Sequence, residues 1–127
     1  MAKHFRNVGI NSLIHYRFPL TAIVSILHRI SGLILFLFVP FLIWVLALSL
    51  RSEASFQDLQ ICLQQHGGIR FAIWVFLSAL SYHFVAGIRH FIMDLSYFES
   101  LPGGRRSSVV VILLSVILVV VLGVWLW

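Results

Sequence analysis

The stretch "FAIWVFLSALSYHFVAGI", residues 71–88, contains no charged residue and is long enough to cross a bilayer. A helix needs roughly 17 to 25 mainly apolar residues to span the hydrocarbon core. Two other windows, 30–50 and 107–127, also lack charged residues. Because the hydrocarbon offers no water to hydrogen-bond the backbone, each window must be helical. The sequence therefore predicts an all-α membrane protein with three transmembrane helices in an up-down-up bundle.

The predicted helices form one membrane-anchor domain over residues 1–127, with expected bounds of roughly 22–50, 69–93 and 106–127. A composition of 61% hydrophobic and 10% charged residues excludes an ordinary soluble domain. The net charge of +5 does not indicate a nucleic-acid partner, because no folded basic surface with groove-reading elements accompanies it. The expected surroundings are membrane lipid and partner helices.

Basic residues are distributed unevenly outside the apolar windows, and this asymmetry predicts the orientation of the chain. Those that precede the first helix or separate the second from the third are Lys3, Arg6, Arg17, Arg29, Arg89, Arg105 and Arg106. The other connection has only Arg51 and Arg70, and no lysine or arginine follows residue 107. We therefore expect a cytoplasmic N-terminus and a C-terminus on the opposite side.

The two segments that connect the predicted helices also contain signals for local structure. Between the first two helices, Phe56, Leu59 and Leu63 recur at helical spacing, with serines before them and Gly67-Gly68 after them. This pattern predicts a short interfacial helix that begins at a serine cap and stops at the glycines. The segment "LPGGRRSS", residues 101–108, has the composition of a turn, and we expect its serines to cap the third transmembrane helix.

Two groups of polar residues interrupt the apolar helices, and such residues are costly in hydrocarbon unless they face a partner, a cavity or a cofactor. In the first group, Ser25, Arg29 and Gly32 share a helix face, with His28 beside it. The second group follows the same spacing and comprises His83, Gly87, His90 and Asp94. Gly87 leaves that face flat, so that a bulky group can approach the backbone.

If Arg29 and Arg89 both mark the cytoplasmic boundary, a rise of about 1.5 Å per residue places His83 about 9 Å inside the membrane. His28, Arg29, Arg89 and His90 then form a ring of cations above a neutral imidazole. This arrangement suits a haem whose iron is bound by His83 and whose propionates face the cations. It also suits a histidine that joins two helices or belongs to a proton relay, as in a small proton-coupled transporter.

A six-coordinate haem would need a second ligand from outside this chain. No other histidine or methionine is expected at the depth of His83, because His28 and His90 are shallower and Met93 follows Arg89. The second ligand would come from a companion subunit or from a second copy of His83.

The segments "RFPLTAIVSILHRISG", residues 17–32, and "HFVAGIRHFIMD", residues 83–94, resemble the cytochrome b membrane-anchor subunits of succinate dehydrogenase. The resemblance covers nearly the whole chain and implies an electron-transfer complex in the bacterial inner membrane. In this family, a second three-helix anchor supplies the other haem ligand. A flavoprotein subunit and an iron–sulfur subunit bind the cytoplasmic face. Electrons from succinate then pass to ubiquinone, with no complete active site on this chain.

The resemblance also implies roles for individual residues. His83 falls on the axial ligand of haem b, and Ser25 and Arg29 fall on the quinone site. His28, Arg29 and His90 are the expected cofactor-binding residues near the haem propionates. Apolar neighbours that could receive the quinone are Phe18, Leu20, Ile26 and Ile30. An anchor of fumarate reductase, with the opposite direction of electron flow, is the alternative within this architecture.

Overall fold

The computed structural model describes residues 18–97 and 100–127, and its elements in these ranges are four helices. These are α1 (Leu20–Ser49), α2 (Glu53–Gln65), α3 (Gly67–Asp94) and α4 (Leu101–Leu126). Helices α1, α3 and α4 are long and apolar enough to cross a membrane. The predicted multi-pass, three-span architecture with a short additional helix is confirmed, and α1 continues through Pro40.

The fourth helix begins earlier than the sequence predicts. The segment 101–108 is helical, so the prediction of a turn there was wrong. Ser100 is the N-cap, and its hydroxyl accepts a hydrogen bond of 3.2 Å from the backbone N–H of Gly103. Pro102 lies in the first turn, where a helix does not need its missing N–H. A proline followed by two glycines therefore starts this helix instead of interrupting it.

Helix α2 has the predicted cap, because the Ser52 hydroxyl accepts from the backbone N–H of Ser55 at 3.1 Å. It stops at Gln65, just before the predicted glycines, and Gly67 begins α3. The Arg70 guanidinium donates to the carbonyl oxygens of Leu63 and Gln64. These are carbonyls that a helix end leaves without an intrahelical partner, so Arg70 binds α2 to the start of α3.

The packed core of this chain is small. Among the described residues, the buried apolar ones are Val24, Ala86 and Val111, contributed by α1, α3 and α4 respectively. On α4, the buried positions Gly104, Ser108, Val111 and Ser115 follow helical spacing and are small, which lets two helices approach closely in a membrane. Most large apolar side chains are exposed, Phe36 by 70% and Trp125 by 74%. Such surfaces must contact lipid or other membrane subunits.

The starts of α1 and α4 lie at the same end of the bundle. Pro19 and Leu20 share the lining of a cavity of about 490 Å³ with Leu101 and Arg105. This placement agrees with the expectation that the basic residues of the first and last helices face one side of the membrane. Lys3, Arg6 and Arg17, which carry part of that expectation, lie outside the described residues.

Candidate functional site

His83 projects from α3 against α1, where its ring nitrogen Nδ1 contacts two oxygen atoms. Nδ1 lies 3.0 Å from the Ser31 hydroxyl oxygen and 3.2 Å from the His28 carbonyl oxygen. The Ser31 hydroxyl also lies 2.7 Å from that carbonyl oxygen. One carbonyl, one hydroxyl and one imidazole therefore form a closed triangle between the two helices.

The triangle determines which nitrogen of His83 carries the proton. A carbonyl oxygen can only accept a hydrogen bond, so the short contact with Ser31 uses the single hydrogen of the hydroxyl. Ser31 then has only lone pairs left for His83. Both contacts of Nδ1 consequently require Nδ1 to be the donor, with its single hydrogen shared between the two oxygen atoms. In a neutral ring, Nε2 is left without a hydrogen, and its lone pair is the one that can bind a metal.

Three imidazole rings lie in a row across the α1 and α3 interface. The His28 ring stacks on the His83 ring, with centroids 4.2 Å apart and planes inclined by 14°. The His90 ring follows, with its centroid 4.9 Å from that of His28. The three predicted histidines are therefore brought together by the fold.

The glycines of this interface make room for the rings. A Cβ atom on Gly32 would lie 3.1 Å from Cε1 of His83, a distance at which one of the two groups must move. A Cβ atom on Gly87 would lie 3.5 Å from Nε2 of His28, which is ordinary contact. Gly32 is thus the tighter of the two positions, and its missing side chain sets the place of the His83 ring.

The site is suited to a cofactor whose metal is bound by one imidazole of this chain. Among the described residues, no three histidine, cysteine, aspartate or glutamate side chains converge as ligands for a metal ion. The Nε2 atom of His28 is buried and has no hydrogen-bond partner in the described part of the chain. A haem matches both features, because His83 would supply one nitrogen to its iron and its propionates would accept hydrogen bonds from donors such as His28.

Ser25 and Arg29 lie on α1, three residues before and one residue after His28. Ser25 is half-buried and Arg29 is exposed, and their spacing of four residues places them on one helix face. Of the expected quinone neighbours, Phe18, Ile26 and Ile30 are each more than 40% exposed. Leu20 instead lines the cavity beside Arg105.

Arg89 does not belong to the predicted ring of cations. Its side chain is only 5% exposed and is directed to α4, where Nε donates to the Ser107 hydroxyl at 3.0 Å. A terminal nitrogen donates to the Gly104 carbonyl oxygen at 3.4 Å. The polar partners satisfy a charge that hydrocarbon would not tolerate. Arg89 therefore joins α3 to α4.

The relative depth of His28 and His83 also differs from the prediction. Gly32 faces the His83 ring, and Gly87 faces the His28 ring. The predicted alignment set Arg29 level with Arg89. Relative to that alignment, α1 and α3 are shifted along their axes by about one helical turn. His28 therefore lies beside His83 and not in a separate layer above it. The prediction differed because the rise per residue along each helix does not fix the register of one helix against the other.

Two residues of the interface were not predicted to act here. Ser31 contacts the His83 ring, and the Tyr82 hydroxyl donates to the Val24 carbonyl oxygen at 2.9 Å. Ser31 follows His28 by three residues, which is a signal that it shares the face of that histidine. Nothing in the sequence indicates that Tyr82 reaches a backbone carbonyl of another helix.

Comparison with known proteins agrees with the resemblance noted in the sequence. The family described as "Succinate dehydrogenase/Fumarate reductase transmembrane subunit" matches residues 11–122. The chain is similar to the succinate dehydrogenase cytochrome b556 subunit of Coxiella burnetii, with 45% identity over 115 residues, or 91% of this chain and 92% of that relative.

More distant relatives carry similar names. The cytochrome b556 subunit of Paracoccus denitrificans succinate dehydrogenase is 32% identical over 96 residues, covering 73% of this chain and 71% of the relative. The succinate dehydrogenase cytochrome b560 subunit of Reclinomonas americana is 36% identical over 86 residues, covering 65% of this chain and 60% of the relative. Since the family match covers most of the sequence, this chain belongs to the succinate dehydrogenase/fumarate reductase transmembrane subunits.

Proposed function

We propose that this chain is the cytochrome b membrane anchor of a succinate dehydrogenase, with His83 as an axial ligand of haem b and with Ser25 and Arg29 in a ubiquinone-reduction site. The observation that carries the proposal is the pairing of Nδ1 of His83 with two acceptors, which leaves Nε2 free to bind iron. The relatives are cytochrome subunits of succinate dehydrogenases, which supports a cytochrome in such a complex and leaves the residue roles to the geometry.

The second histidine for the haem would come from another chain. The His28 ring lies flat against the face of the His83 ring, so these two imidazoles do not face each other across a space that could hold the group. A second three-helix anchor that contributes a histidine meets this requirement, and the large exposed apolar surface of this chain gives it room to pack.

His28, His90 and Arg29 are the groups of this chain that would hold the haem propionates. Nε2 of His28 is a buried polar atom without a partner in the described residues, and a carboxylate is a suitable acceptor for its N–H. His90 continues the row of rings beyond His28. Bound haem b would supply a one-electron carrier in the membrane.

Ser25 and Arg29 have the chemistry that quinone reduction requires. A quinone that takes up two electrons and two protons develops negative charge on its carbonyl oxygens, which hydrogen-bond donors and positive charge stabilise. The Ser25 hydroxyl can donate to such an oxygen, and the exposed Arg29 can supply the charge. Ile26 and Ile30 offer apolar contact for the ring.

The complex would contain four kinds of subunit: this chain, the companion anchor, an iron–sulfur subunit and a flavoprotein. We infer that the last two bind on the cytoplasmic face of the bacterial inner membrane, beside the ends of α1 and α4 that carry Arg29, Arg105 and Arg106. The family also includes anchors of fumarate reductase. The names of the reported relatives favour succinate oxidation over fumarate reduction, and neither they nor the family supports a transporter.

Purification of the tagged chain in mild detergent tests this function. We expect a flavoprotein, an iron–sulfur protein and a second small anchor to copurify. We also expect succinate to reduce ubiquinone and a b-type band to appear in the reduced-minus-oxidised spectrum. Recovery of the chain without these partners and without a haem band would contradict the proposal.

A further inference from the structure

We propose that Ser31 is a positioning residue for the axial ligand: its hydroxyl accepts the Nδ1 hydrogen of His83, fixes the ring in the metal-binding tautomer and strengthens Nε2 as a donor to the iron. This inference rests on the proposed function, because it needs a metal at Nε2. It assigns a specific role to a serine that contacts neither the iron nor, in the proposal above, the quinone.

The position of Ser31 suits this role. Its side chain is only 5% exposed, so water has little access to replace the hydroxyl if it is lost. The hydroxyl is held from the other side by its own short bond to the His28 carbonyl oxygen. It therefore presents its lone pairs to His83 in a fixed direction, and that direction is set by α1 rather than by the ligand's own helix.

Ring orientation is restricted by three independent contacts. Ser31 and the His28 carbonyl hold the Nδ1 edge, the His28 ring covers one face, and Gly32 lies against Cε1. A half-turn of the ring would place a carbon at the two oxygen atoms and lose both hydrogen bonds. The lone pair of Nε2 consequently keeps one direction, which is what an axial ligand needs.

The hydrogen bond also has an electronic consequence. A metal-bound imidazole that donates its other N–H to an acceptor becomes a more basic ligand. A more basic axial ligand stabilises the oxidised iron relative to the reduced iron. Loss of the Ser31 acceptor should therefore raise the midpoint potential of the haem. The His28 carbonyl remains as a second, longer acceptor, so the change should be partial.

An alternative role for Ser31 is a hydrogen bond to a backbone carbonyl of its own helix, which serines in membrane helices commonly make. The bond to the His28 carbonyl three residues earlier has this form. If that were its whole role, removal of the hydroxyl would alter helix stability and leave the electronic properties of the haem unchanged. The two roles therefore differ in their spectroscopic consequences.

The test compares Ser31→Ala and Ser31→Thr in the intact complex purified from membranes. Assembly is scored by succinate oxidation with an artificial acceptor. Haem retention, the midpoint potential and the electron paramagnetic resonance g values are then measured. For Ser31→Ala we expect haem affinity to fall by about 10-fold, the low end of the effect of losing a partner of a ligand. We also expect a higher midpoint potential and shifted g values.

Ser31→Thr keeps a hydroxyl and should return the potential and the g values toward those of the parent. Ser108→Ala is the matched control, because the Ser108 hydroxyl is fully buried and donates back to the Gly104 carbonyl at 2.8 Å. It should leave both readouts unchanged. An unchanged potential and unchanged g values in Ser31→Ala would overturn the inference, as would equal shifts in the alanine and threonine variants.

A failure of the proposed function can be distinguished from a failure of this inference. If His83→Tyr abolishes the haem band while Ser31→Ala matches the parent, His83 is the ligand and Ser31 has no positioning role. If the band persists in His83→Tyr, the ligand assignment itself is wrong, and the role of Ser31 falls with it.

Discussion

The His28 ring lies flat on the His83 ring, 4.2 Å between centroids, while the His28 carbonyl oxygen accepts the hydrogen of the His83 Nδ1 atom. One residue thus contacts the proposed ligand both through its side chain and through its backbone. The backbone contact survives any substitution of His28 that keeps α1 helical, and the side-chain contact does not. The two contributions can therefore be separated by mutation.

We expect His28→Leu to lower haem content in the assembled complex without abolishing it. Both acceptors of Nδ1 remain, but the stacked ring and a proposed donor to the propionates are lost. Haem content per complex measures the effect. His66→Leu is the control, since His66 is an exposed imidazole outside the row of three rings. Complete loss of haem in His28→Leu would contradict a merely supporting role for His28.

Gly32→Ala should disturb the haem more than Gly87→Ala. The added Cβ would lie 3.1 Å from Cε1 of His83 in the first variant and 3.5 Å from Nε2 of His28 in the second. Because only the first contact is too close, we expect a shifted haem spectrum in Gly32→Ala and a normal one in Gly87→Ala. Gly68→Ala, where the Cβ meets nothing within 4 Å, is the matched control. Equal spectra in all three variants would contradict the close fit at Gly32.

Arg89→Met should destabilise the packing of α3 on α4. The guanidinium donates to Ser107 and Gly104, and a hydrogen bond from a charged group contributes about 1.5–3 kcal/mol. We expect a lower melting temperature of the complex in detergent and earlier loss of this subunit. Arg106→Met removes an exposed arginine from the same end of the bundle and should change little. Similar melting temperatures for the two variants would show that Arg89 does not join the helices.

Ser25→Ala and Arg29→Leu should each slow ubiquinone reduction by succinate, while oxidation of succinate by an artificial acceptor continues. Removal of one donor to a developing oxyanion typically costs about 100-fold or more in rate. Ser49→Ala is the control, because Ser49 lies at the other end of α1 and its hydroxyl bonds to the Leu46 carbonyl. Parallel loss of both activities would indicate failed assembly and count against a quinone role.

The sequence was sufficient for the three spans, because charge-free windows of bilayer length have no other stable conformation in hydrocarbon. It was misleading at residues 101–108, where proline and glycines resemble a turn. There the outcome depended on capping by Ser100 and on the close approach of Gly104 to Arg89. Turn composition alone does not distinguish a loop from a capped helix start.

The residues of the site could be selected from the sequence, but their mutual placement could not. His28, His83 and His90 were identified as unusual polar residues, and the fold does bring them together. Their relative depth depended on the register of α1 against α3, which rise per residue cannot supply without a known reference point. The contact of Ser31 with His83 depends on that same register, which is why only the structure reveals it.

The central claim is that Nε2 of His83 binds the iron of a haem in an assembled complex. The most direct measurement is the reduced-minus-oxidised optical spectrum of the purified complex carrying His83→Tyr, recorded beside the parent and His66→Tyr. We predict that the b-type band is lost or strongly weakened only in His83→Tyr, with the flavoprotein and iron–sulfur subunits still bound. A band of unchanged position and intensity in that variant would contradict the account.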